Sequence, residues 1–141
     1  MALKKQNPFK LKDFRGLNPD HVKRLEEHGI KNAEKMLKSG FTRSQRKNLA
    51  RETGISEKQI LEIVKLSDLA RLPGVKGIRA RLYYDAGVDC VRKMAGWEPD
   101  DLREMVAKYA EKTGFDGIPP LPKEVQSTIA NARKLPIILE E

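Results

Sequence analysis

Between Leu72 and Val88 the chain reads LPGVKGIRARLYYDAGV. Gly74 and Gly77 bracket Val75 and Lys76, and Arg79 follows two residues on. Glycine takes a positive φ without penalty and lets backbone approach a ligand with no β-carbon in the way. Pro73 stops any helix before it, and the run from Gly77 reads as a new one. The first amides of that helix lack an intrahelical acceptor and sit at the positive end of its dipole. This is the chemistry of an anion site, and phosphate is a common occupant. Gly74, Val75, Lys76, Gly77 and Arg79 are therefore the first candidates to hold a phosphate. Arg79 is better placed than Arg81 to reach one. A helix–helix turn that binds nothing accounts for the glycines equally well.

A second group lies in TRSQRKNLAR, residues 42–51. Arg43, Arg46 and Lys47 stand at i, i+3 and i+4 and so share one helix face, with no acid before Glu52. This densest basic patch is the best second contact for a nucleic-acid backbone, against the plain reading of a solvated face. An earlier turn, FRGLNPDHVKRL (14–25), adds Gly16 and Lys23. That turn is the weaker candidate because Pro19 has no N–H to offer.

Other chemistries find little support. His21 and His28 lie seven apart with no third ligand nearby, so no metal site is expected. Cys90 is the one cysteine, which excludes an intramolecular disulfide, and no histidine partner makes it a nucleophile. There is no P-loop, no nucleophile elbow and no nuclease-like cluster of acids. Trp97, in AGWEPDDL, reads as core or as a staple for the next helix, Tyr83 as core and Tyr84 as exposed. The expectation is a protein without catalysis, cofactor, metal or small-molecule substrate.

The elements that must position these residues are helices. Pro19 to His28 reads as one, with proline preset for the first turn and Gly29 as its stop. Asn32 to Lys38 is a short second helix. Thr42 to Gln45 and Ser56 to Gln59 have the form of capping boxes opening two more. The second of these carries Ile60, Ile63, Val64 and Leu66 on one face. Gly77–Ala86, Asp89–Ala95, Pro99–Lys112 and Pro122–Lys134 complete the set, and no segment alternates like a strand. The fold class is all-α.

The chain also repeats itself. Phe14 to Leu37 aligns without a gap on Leu72 to Ala95, and Gly16 and Gly74, like Gly29 and Gly87, lie 58 residues apart. Leu25 falls on Tyr83, Ile30 on Val88 and Met36 on Met94. LARETGIS (49–56) then falls on YAEKTGFD (109–116), offset by 60. The reading is a basic N-terminal arm (1–13) carrying Lys4, Lys5, Lys10 and Lys12, one repeat over 14–72, a second over 73–136, and a tail (137–141).

The composition is globular, with 39% hydrophobic and 34% charged residues and only 6% aromatics. The net charge of +8, with a pI near 9.6, biases the protein toward acidic partners. No run approaches the roughly 18–20 apolar residues of a membrane span. The opening MALKKQNPFKLKDF has no apolar stretch of signal-peptide length, so a cytoplasmic location is expected.

LPGVKGIRARLYYDAGV resembles a helix-hairpin-helix motif in its apolar-Pro-Gly-apolar start and in Ala80, with Lys76 where a glycine usually stands. Together with LARETGIS, SDLARLPGV and AGVDCVRKMA, the chain resembles a prokaryotic domain-of-unknown-function family of duplicated helix-hairpin-helix domains. The resemblance implies a fold related to DNA-binding modules and no established reaction. Asp85 and Asp89 lie loosely where helix-hairpin-helix glycosylases carry a nucleophile, but no second domain is present to form a base pocket. The expected function is binding of a nucleic-acid backbone, double-stranded DNA first, without sequence preference. The alternative is a protein-interaction or assembly module that keeps the fold and has lost the phosphate site.

Overall fold

The computed structural model describes residues 9–141, and Lys4 and Lys5 of the basic arm lie outside them. After one 3-10 turn over Leu11–Asp13, eight helices follow among the described residues. They are α1 (Pro19–Glu27), α2 (Ala33–Gly40), α3 (Arg43–Thr53), α4 (Glu57–Leu69), α5 (Gly77–Ala86), α6 (Val91–Ala95), α7 (Pro99–Thr113) and α8 (Pro122–Lys134). Among the described residues there is no strand, only one isolated bridge between Lys10 and Asn32. No described helix is long and apolar enough to cross a membrane.

Local chemistry sets most boundaries. The Thr42 hydroxyl accepts the Gln45 amide while the Gln45 side chain accepts the Thr42 amide, a complete capping box. Ser56 makes only half of one: its hydroxyl accepts the Gln59 amide at 3.2 Å, but no return bond forms. Asn18 and Asn32 cap α1 and α2 through their side chains. Pro99 and Pro122 open α7 and α8.

α4 is the hub of the first four helices, with α2 and α3 against it, and α8 is the hub of the last four, with α6 and α7 against it. α4 meets α5, and α5 meets α7. Backbone hydrogen bonds recur at the 58-residue offset. The Phe14 amide donates to Leu11 O at 3.1 Å and the Leu72 amide to Leu69 O at 3.0 Å. The Ile30 amide donates to Leu25 O and the Val88 amide to Tyr83 O, both at 2.9 Å. Gly16 and Gly74 share a left-handed φ, +83° and +81°. Leu25, Ile30 and Met36 are buried, as are Tyr83, Val88 and Met94.

Asp68, buried at the end of α4, ties the two sets together. Its Oδ1 accepts from Arg71 and its Oδ2 from the Val91 amide, the first of α6, both at 2.8 Å. Residues 9–13, assigned to the arm from sequence, are docked: Leu11 is fully buried and Phe9 meets Phe14 edge to face at 4.8 Å. Gly77 is small because this segment lies on it. A β-carbon there would overlap the Asp13 carbonyl oxygen. Tyr83 is fully buried with no partner for its hydroxyl among the described residues, and burial pushes its pKa up to about 12.

Candidate functional site

Two places gather the candidate residues. The first is the start of α5. Gly74 turns the chain with φ +81°, Val75 is buried as the turn's apolar anchor, and Lys76 occupies the N-cap position. No side chain caps the helix and no acid stands in its first turn. The amides of Gly77, Ile78 and Arg79 are therefore left without a side-chain acceptor, with Gly77 buried beneath Asp13 and Phe9 and Ile78 exposed. Lys76 is exposed and its ammonium sits 6.0 Å from the Phe9 ring centroid.

Arg79, the third residue of α5, does not point freely outward. Its Nε donates to Glu124 Oε2 at 2.6 Å and its Nη2 to Oε1 at 3.2 Å, and Nη1 donates to the Ile118 carbonyl. The acid that holds it lies in the first turn of α8, 45 residues away in sequence. Arg81 is bound as well. It donates to Arg15 O at 2.7 Å, pairs with Glu62 at 2.8 Å, and lies 5.4 Å from the Tyr84 ring. A β-carbon on Gly16 would meet its Nε at 2.9 Å. Gly16 thus serves packing between the first turn and α5.

The start of α1 differs from that of α5. Asn18 Oδ1 accepts the Asp20 amide at 2.9 Å, and the Asp20 carboxylate meets Arg24 at 3.0 Å. An amide already capped and a carboxylate in the first turn do not welcome a phosphate. Lys23 is exposed on α1, away from that cap.

The second place is the start of α3, where the residues expected on one face part company. Arg46 is 4% exposed and donates to Gly40 O at 2.9 Å and Glu140 O at 2.6 Å. Burial lowers its pKa, and Glu140 works against that shift. It lies on the inner stripe with Leu49 rather than on the solvent face. Arg43 and Lys47 are exposed, and Arg43 is engaged by Glu140 and Glu141. A groove of about 400 Å³, floored by Leu37 and Ala70, has Lys76 on its rim and also Phe41, next to the α3 cap. Arg43, Arg46 and Lys47 line a different groove, which Lys76 does not border.

Asp89, Cys90 and Glu141 bring ligand atoms within 4.8 Å of one another. The carboxylates are already matched by cations, Asp89 by Lys65 and Lys93 and Glu141 by Lys65 and Arg92. Burial would raise the Asp89 carboxyl, but the two lysines outweigh it and hold it below its usual range. Burial pushes the Cys90 thiol up. Both carboxylates of this cluster are thus ion-paired. His28, one of the two histidines, contacts Glu52 at 2.7 Å.

The residues that sequence reasoning missed are the acids: Glu124, Glu140 and Glu141. Glu124 had a weak signal, a carboxylate in a helix first turn. The other two had none, since their partners lie 49 to 98 positions away.

Residues 15–135 match a family model described as a domain of unknown function (DUF4332). No curated protein and no solved structure matches the chain.

Proposed function

The chain belongs to that family of unknown function, and we propose from its geometry that it is a double-stranded-DNA backbone-binding module of two helix-hairpin-helix units. The hydrogen bonds that recur 58 residues apart support the pairing of the units. The carrying observation is the start of α5: a glycine turn, three amides with no side-chain cap, no acid in the first turn, and exposed Lys76 beside them. Of the two hairpins it is the one that offers bare amides, since Asn18 caps the other. A phosphate seated there meets amides and an ammonium but no base edge, so such contacts position the protein without reading sequence. The surplus of 28 Lys and Arg over 20 Asp and Glu supplies the long-range attraction.

Titration of the full chain with unrelated duplexes at several salt concentrations tests this. The expected result is one affinity across sequences, falling on a log–log plot by about 0.9 per phosphate neutralised. Undetectable binding at low salt overturns it.

One observation favours a second reading, an assembly module without phosphate binding. Ile78, Ile118 and Leu121 are 50%, 74% and 63% exposed, and Ile118 is tethered to Arg79 beside the α5 start. On that reading, Ile118→Glu abolishes self-association or partner capture. On the first reading, it leaves duplex affinity unchanged.

A further inference from the structure

Residues 135–141 leave α8 and run back to the start of α3. Arg71 donates to Pro136 O at 2.6 Å, and the Glu140 amide donates to Phe41 O at 2.8 Å. From there the contacts are dominated by charge. The amide of Arg43, first in α3, donates to Glu140 Oε1 at 3.1 Å, and Arg46 donates to the Glu140 carbonyl at 2.6 Å. The Arg43 guanidinium donates to the Glu141 carbonyl. The Glu141 carboxylate meets Lys65 at 3.1 Å and Arg92 at 2.5 Å.

Little apolar surface holds this strap. Ile137 and Ile138 are 64% and 40% exposed, and Leu135 and Leu139 are half-buried. The Arg92 side of the Glu141 pair is 58% exposed, where an ion pair is weak and weakens further in salt, while Lys65 and Arg46 hold the strap from largely buried positions. A segment held in this way yields to a competing anion. The groove it borders, about 550 Å³, is lined by Arg43, Arg46, Lys47 and Lys58 against Glu57, with Glu141 at its edge.

We propose that Glu140 and Glu141 form an autoinhibitory strap: the Glu140 carboxylate takes the first amide of α3, the Glu141 carboxylate is anchored by Lys65 of α4 and Arg92 of α6, their main-chain carbonyls take Arg46 and Arg43, and a nucleic-acid backbone must displace the strap to engage the basic face of α3. This rests on the DNA-binding reading above. With the strap closed, the α5 start is the open phosphate site. With it released, Arg43 and Lys47 join as further phosphate contacts.

The test compares wild type with E140Q/E141Q in the full chain, using a short duplex and inorganic tripolyphosphate as probes. The variant is expected to bind the duplex about tenfold tighter, corresponding to about 1.4 kcal/mol of opposing ion pairs, and with a steeper salt slope. In the wild type, saturating duplex should shift the amide resonances of Arg43, Glu140 and Glu141, a readout that stands even if the variant folds poorly. If neither protein binds duplex but the variant binds tripolyphosphate more tightly, the strap holds and the DNA reading falls. If the variant gains nothing with either probe and the wild-type strap resonances stay fixed at saturation, the strap is overturned.

Discussion

Replacing Glu124 by glutamine isolates what Arg79 does at the start of α5. In the native chain Arg79 is held by both Glu124 oxygens, at 2.6 and 3.2 Å. The two side chains are 19% and 36% exposed, a part-buried pair whose loss costs about 1–3 kcal/mol. Glutamine keeps the shape and a carbonyl oxygen but removes the charge that competes with phosphate. Arg79, third in the helix whose amides are bare, then turns to a phosphate seated at those amides. One more phosphate neutralised steepens the log–log salt slope by about 0.9. Across about 50 to about 200 mM salt, a fourfold change, that slope gives roughly a 3.5-fold greater loss of affinity than wild type shows. Fluorescence anisotropy of a labelled duplex at several salt concentrations reads it directly, with Glu124→Gln tighter at the low end. A folded Glu124→Gln variant with unchanged slope and unchanged Kd refutes the idea that Arg79 faces the phosphate site.

Three further outcomes follow from the same geometry. Asp68→Ala strands half-buried Arg71 and removes the acceptor of the buried Val91 amide, so a thermal melt should show a loss of about 3–5 kcal/mol; a loss under about 1 kcal/mol contradicts its linking role. Gly77→Ala drives a β-carbon into the Asp13 carbonyl and should cost about 1–3 kcal/mol by chemical denaturation, although alanine is the better helix former. The strap should also release in acid. Lys65 pulls Glu141 below its ordinary 4.5, and Lys65 and Lys93 outweigh burial to hold Asp89 below 3.8. Groups with depressed folded pKa values contribute fully above their unfolded values and lose that contribution as pH falls through the folded ones. Lys65, raised above 10.5 because Asp89 and Glu141 outweigh its burial, loses its contribution only as pH rises through that raised value. The Glu141 amide resonance should therefore hold from about pH 5 to neutral pH and move in more acidic solution.

The helices were legible because their signals are local. Thr42 with Gln45, Pro19 and Pro99 act within one turn of themselves, and the apolar spacing of α4 places Ile60, Ile63 and Val64 inward as observed. The positions aligned at the 58-residue offset share side-chain type where both are buried, as at Met36 and Met94. The electrostatics of the candidate site were not legible. Arg46 fits the solvent stripe through Arg43 and Lys47 and equally the inner stripe through Leu49, and the backbone carbonyl of Gly40 decides between them. Arg79 looked free because Glu124 reaches it from another helix. The +8 surplus counts every lysine and arginine alike, yet cations such as Arg81 and Lys65 serve packing and ion pairing within the fold.

The most direct measurement is the amide spectrum of the native chain as an unrelated short duplex is added in dilute buffer. Phosphate binding at α5 predicts that Gly77, Ile78 and Arg79 move first and together with Lys76, while Asn18 and Asp20 at the capped start of α1 stay in place. Movement at α1 with none at Gly77 to Arg79, or no movement anywhere at concentrations that saturate other basic modules, contradicts it.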